Sequence, residues 1–119
     1  MQSIRELYRI GKGPSSSHTM GPKKAAEIYL EKHSDARNFE VILYGSLAAT
    51  GKGHMTDAAI IDVLSNEGRK VEIVWKPETF LPFHPNGMTF SWIDDKGEKH
   101  DDWTVYSVGG GALAGDGLQ

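Results

Sequence analysis

Apolar residues recur at helical spacing in three stretches of the chain and alternate with polar residues in others, and that change of period divides it into elements. Ser3-Ile4-Arg5-Glu6 reads as a capping box, with Ile4, Leu7 and Tyr8 forming the stripe of a short first helix. Residues 11–20 cannot continue it, because Gly11, Gly13, Pro14 and three serines favour turns. Gly21-Pro22 opens a second helix, since a proline in the first turn forfeits no hydrogen bond. Ala25, Ala26, Ile28, Tyr29 and Leu30 supply its buried side, out to about His33. Phe39, Val41 and Leu43 then alternate with Asn38, Glu40 and Ile42, which predicts a strand ending at Gly45. A small-residue, glycine-rich passage follows over residues 46–53. Thr56 and Asp57 start a helix over about 56–66 that Gly68 closes. Val71, Ile73 and Trp75 mark another strand, and residues 77–87 form a loop rich in proline and histidine. Residues 88–93 and 102–108 predict a hairpin around Asp94-Asp95-Lys96-Gly97. Strands separated by helices early and paired late make the class α+β, with no internal repeat. Residues 109–117 have the composition of a linker or flexible tail, or of a joint to further protein.

Composition narrows the function. The chain of 119 residues fits one domain, and 39% hydrophobic with 24% charged residues is the balance of a globular protein. A net charge of −3 without a basic run speaks against a nucleic-acid or anionic-membrane partner. The apolar runs are too short for a membrane span, and no secretory segment follows Met1, so a cytoplasmic location is expected. The chain contains no cysteine, which excludes a disulfide, a thiolate nucleophile and any cluster held by its own sulfur.

Candidate chemistry is concentrated in four glycine-bearing segments. Gly11-Lys12-Gly13-Pro14-Ser15-Ser16-Ser17-His18-Thr19-Met20-Gly21-Pro22 gathers hydroxyls and amides before a helix, as a nest for a carboxylate or phosphate would. A plain loop is the commoner meaning of that composition, although the order of its residues is far more specific. Tyr44-Gly45-Ser46-Leu47-Ala48-Ala49-Thr50-Gly51-Lys52-Gly53-His54 lies between strand and helix, like a phosphate-binding loop. Its glycine spacing and the Gly53 after Lys52 break that motif. Lys52 and His54 are left on a glycine-flanked elbow, where a histidine of ordinary pKa, about 6.5, suits a general base. His84-Pro85-Asn86-Gly87 is a turn signal that can also hold a carboxylate or an ammonium group. Tyr106-Ser107-Val108-Gly109-Gly110-Gly111 is a strand running into glycines that permit close backbone approach. His18, His54 and His84 form a zinc set only on weak grounds, because their spacing is not that of metal ligands. His33 and His100 read as surface residues.

In this order, the four segments resemble the β-domain or β-subunit of the iron–sulfur L-serine dehydratases, over nearly the whole chain. The match lies in Gly13-Pro14-Ser15-Ser16-Ser17-His18-Thr19 with Gly21-Pro22, and in Tyr44-Gly45-Ser46-Leu47-Ala48 with Thr50-Gly51-Lys52-Gly53-His54 and Thr56-Asp57. It continues through His84, Asn86-Gly87-Met88 and Tyr106-Ser107-Val108-Gly109-Gly110-Gly111. The resemblance implies an α+β sandwich with a mixed sheet, similar to the allosteric substrate-binding domain of phosphoglycerate dehydrogenase. It places the domain over residues 1–111, with residues 112–119 as a linker or truncated tail toward a cluster-binding α-domain.

The implied activity is a carbon–nitrogen lyase that deaminates L-serine to pyruvate and ammonia, in amino-acid degradation and gluconeogenesis, and that is inactive as this domain alone. Its [4Fe–4S] cluster would be ligated by cysteines of an α-domain or α-subunit outside this chain, and a homodimer is open. The iron would act as a Lewis acid on the serine hydroxyl. His54 matches the histidine proposed for α-proton transfer, with Lys52 beside it. Ser15, Ser16, Ser17, His18 and Thr19 would line the substrate, with His84 and Asn86 near its carboxylate or amine. Two departures bear on substrate choice: a long insertion between Asp57 and the His84 loop is short here, and Met55 stands where glycine is usual. A stand-alone module sensing a small amino or hydroxy acid is the alternative.

Overall fold

The computed structural model describes residues 19–51, 56–109 and 112–115. Its elements are α1 (Gly21–Lys32), β1 (Asn38–Tyr44), α2 (Gly45–Gly51), α3 (Thr56–Leu64), β2 (Lys70–Lys76), β3 (Gly87–Ile93), β4 (Lys99–Gly109) and β5 (Ala112–Gly115). They form an α+β fold around one mixed five-stranded sheet in the order β2-β1-β3-β4-β5. β1 and β2 are parallel, which requires the α2–α3 crossover between them, and the other pairings are antiparallel. No helix among the described residues is long and apolar enough to cross a membrane.

The alternating patterns bury the face they predict. Phe39, Val41 and Leu43 of β1 meet Met88 and Phe90 of β3 and Val105 of β4, under Ala25, Ala26 and Tyr29 of α1 and Ile60 and Leu64 of α3. Tyr29 is the aromatic centre, 5.6 Å from the Phe90 ring and 6.3 Å from the Trp103 ring between centroids. Its hydroxyl donates to the Asp101 carbonyl at 2.8 Å, so the buried phenol is satisfied. Burial, reinforced by Asp101 and Asp102, raises its pKa and keeps it protonated. The opposite face carries polar pairs: Thr89 and Thr104 hydroxyls at 2.8 Å, Ser91 donating to Asp102 at 2.7 Å, and Lys99 to Glu40 at 3.0 Å. Two layers result, helices on one face and a largely polar sheet surface on the other.

Three expectations change. The passage after Gly45 is a helix, not an irregular loop, because Leu47 and Ala48 are buried in the core and Ser46 binds the Pro85 carbonyl at 3.1 Å. Ala112–Gly115, within the stretch of linker composition, pairs antiparallel with β4, and Leu113 packs against the core. His33 and His100 are not simple surface residues: His33 bonds Asp101 at 2.6 Å and His100 bonds Asp94 at 2.7 Å. The expected first helix at residues 3–8 lies outside the described residues.

The α3–β2 connection is unusually tight. Asn66–Gly68 makes a short 3-10 turn with Glu67 at φ 59° and Gly68 at φ 82°. Arg69 clamps it by donating to the carbonyls of Ser34 (2.7 Å), Asn66 (3.0 Å) and Ala36 (3.2 Å).

Candidate active site

The end of β1, the start of β3 and the end of β4 come together through the sheet register, Leu43 opposite Met88 and Gly87 opposite Tyr106. The start of α1 joins them because Gly21 sits on Ser107. A Cβ at Gly21 would stand 2.1 Å from the Ser107 Oγ, so only glycine lets this helix approach β4. Gly45 turns the chain from β1 into α2 at φ 48°, and a Cβ there would lie 2.8 Å from both Phe80 and the Pro85 carbonyl oxygen. Described parts of all four glycine-bearing segments therefore touch at one end of the sheet: the first meets the fourth at Gly21–Ser107, and the second meets the third at Gly45–Pro85. The third and fourth join at Asn86 and Ser107, whose amide donates to the Asn86 carbonyl at 3.0 Å.

Within this assembly His84 and Asn86 are set by their own loop. The Asn86 backbone N–H donates to His84 Nδ1 at 3.0 Å. An Nδ1 that accepts leaves the proton of a neutral imidazole on Nε2, so His84 offers a donor on its other edge. The Asn86 Nδ2 donates to the Ser107 carbonyl at 3.2 Å, whereas its Oδ1 is buried without a partner among the described residues. A buried acceptor left unmade costs about 1–3 kcal/mol, and such a group marks a position where a donor is missing. An ammonium, hydroxyl or amide donor reaching this carboxamide would relieve that cost.

Thr19 lies two residues before the Gly21 contact and, with Lys23, Ala58, Ala59 and Asp62, lines a surface depression of about 400 Å³. The start of α3 is thereby placed beside the start of α1. Ser15, Ser16, Ser17, His18, Lys52 and His54 lie outside the described residues. Of the expected site residues, the structure joins His84 to Asn86, whereas Thr19 lines the depression between α1 and α3. The structure adds Ser107, which the sequence reading placed in a motif without giving it a role. The available signal was its position in β4, where alternation with Tyr106 and Val108 turns it toward the helices.

At the opposite end of the sheet a second polar cluster surrounds Trp92. The His100 ring stacks on it at 4.4 Å, and the His33 ring lies 6.2 Å away. Asp94, Glu98 and His100 come within metal-binding reach of one another. The Asp94 Oδ1 already accepts the amides of Lys96 and Glu98, both at 2.9 Å, and its Oδ2 takes His100. The His100 contact first, then the Glu98 amide, holds the Asp94 carboxyl below the usual range. These bonds tie off a hairpin turn.

An α+β domain with convergent polar loops at one end of its sheet is the class that the fold and site define. The chain matches the serine dehydratase beta chain family over residues 3–71 and 66–117, and it belongs to that family. It is 33% identical to the L-serine dehydratase of Haemophilus influenzae, over 95% of this chain and 33% of the relative. To the L-serine dehydratase of Mycobacterium tuberculosis it is 36% identical, over 93% of this chain and 32% of the relative. To L-serine dehydratase TdcG of Escherichia coli it is 33% identical, over 95% and 33%. The chain spans about a third of the length of the curated relatives it matches. The Haemophilus alignment runs over 153 positions against a chain of 119, so that relative holds residues this chain lacks. The two family-matched stretches overlap at residues 66–71, the site of the turn clamped by Arg69.

Proposed function

We propose that this chain is the β-domain of an iron–sulfur L-serine dehydratase, completing an active site whose [4Fe–4S] cluster is carried by an α-domain or α-subunit. The observation that carries the reading is the meeting, at one sheet end, of the described parts of four family-like segments, beside a buried carboxamide oxygen with no donor among the described residues. The chain has no cysteine and so offers this cluster no thiolate, which fits a ligand set outside this chain. When bound there, the cluster would supply Lewis-acid activation of the serine hydroxyl.

This chain's share is binding and proton transfer. Asn86 Oδ1 and the Nε2–H of His84 are of opposite hydrogen-bonding character, which suits the two ends of an amino acid. Asn86 would accept from the ammonium and His84 would donate to the carboxylate. Ser15, Ser16, Ser17, His18 and Thr19 line the substrate in this reading, Lys52 lies beside the base, and His54 removes the α-proton. Loss of the β-hydroxyl with that proton leaves aminoacrylate, whose imine tautomer takes up water to give pyruvate and ammonia. The domain would work in the cytoplasm, and its sheet would share the layout of the serine-sensing domain of phosphoglycerate dehydrogenase.

Anaerobic reconstitution with the cluster-bearing partner and assay of pyruvate tests the base. His54→Ala is expected to lower kcat by a factor of ~10²–10⁴, the usual worth of general-base catalysis. Full turnover by that variant would remove His54 from the chemistry. Titration of the isolated chain with L-serine separates the enzyme from a stand-alone sensor, since an incomplete site gives no saturable binding.

A further inference from the structure

Five large apolar side chains stand exposed among the described residues, and four lie at the site end: Met20 (47%), Phe80 (61%), Phe83 (65%) and Val108 (39%). The fifth, Ile61, is on α3. The two phenylalanines belong to the β2–β3 loop, yet each is held in place. Phe80 rests against the Gly45 backbone, where no side chain displaces it. The Phe83 ring lies 4.8 Å from the Tyr106 ring between centroids. The loop itself is pinned by the Ser46 amide on Pro85 and by the Asn86 amide on His84. Tyr106 and Val108 alternate with buried Val105 and Ser107, so they project from the sheet face away from the helices. Aromatic rings held in place yet exposed among the described residues have the character of an interface core.

What covers them follows from size and position. The curated relatives continue for about twice the length this chain matches, and the rings border the same end of the sheet as Asn86 and His84. A second copy of this chain would add no cysteine there. We infer that Phe80, Phe83 and Val108 form the docking surface for the polypeptide equivalent to the remaining two thirds of those relatives, and that docking closes the Asn86–His84 site. This rests on the function proposed above.

The test uses this chain with the polypeptide of its own organism that is homologous to the remaining two thirds of the Haemophilus enzyme, loaded with its cluster. Association is measured by sedimentation, and pyruvate formation is measured separately. Phe83→Ser and Phe80→Ser should each weaken association at least tenfold, as truncation of an interface anchor does. At saturating partner kcat should stay within about threefold and the melting temperature within a few degrees, with Ile61→Ser as an unaffected control. Unchanged association in the double variant would overturn the inference. So would a large fall in melting temperature with association intact, which would assign the rings to packing within this chain. Dissociation of a homodimer with partner binding intact would assign them to a second copy and overturn it equally. A pair that associates through these rings but forms no pyruvate leaves the docking surface standing and strikes the proposed activity alone.

Discussion

Asn86 joins most of what this end of the molecule does. Its carbonyl and its Nδ2 are tied to Ser107, its amide sets the His84 tautomer, and its Oδ1 has no donor among the described residues. Sequence alone marks Asn86 and His84 as candidates through a turn signal, but the orphan oxygen and the role of Ser107 arise from contacts 21 residues apart. Gly21 offers a direct check on the convergence. Gly21→Ala forces its Cβ onto the Ser107 hydroxyl, and overpacking of this kind costs about 1–3 kcal/mol. Combining it with Ser107→Ala should recover part of that loss in a urea-unfolding double-mutant cycle. Additive losses would mean that the two residues do not meet.

At the scale of elements, period-driven segments were legible, and those whose residues are small were not. α1, β1, β2 and β3 appear within a residue or two of their expected bounds, because one apolar face of each packs into or against the core. α2 was hidden because glycine brackets a seven-residue helix, and only tertiary burial of Leu47 and Ala48 shows that its small residues are helical. β5 was hidden because a four-residue stretch with one large side chain, Leu113, beside a glycine run is too short to display an alternation. The β3–β4 hairpin was expected, but its Asp94 anchor was not. A carboxyl lowered in the folded chain adds stability above its unfolded pKa and loses it as pH falls through the folded value. Asp94→Asn should therefore be less stable than wild type near neutrality. The gap should close in acid below the ordinary carboxylate range, at about pH 2. Urea midpoints at the two pH values measure it, and a gap that persists in acid would mean that the His100 and amide contacts do not act through charge.

The whole molecule divides its chemistry between two ends of one sheet. One end gathers glycine contacts, an unsatisfied carboxamide and exposed aromatic rings. The other ties His33 and His100 to aspartates beside Trp92 and leaves each of those bonds made. The family was legible from the order of its short segments, whereas their meeting in space required the sheet register and the packing of α1 on β4. The most direct test compares substitutions at the two ends, in the enzyme reconstituted with its cluster-bearing partner, by pyruvate release. Asn86→Ala should lower kcat/KM about 100-fold, as loss of a buried polar contact to substrate does, while His100→Ala stays within about threefold. Equal loss from both, or loss from His100→Ala alone, would contradict a site at the Asn86 end.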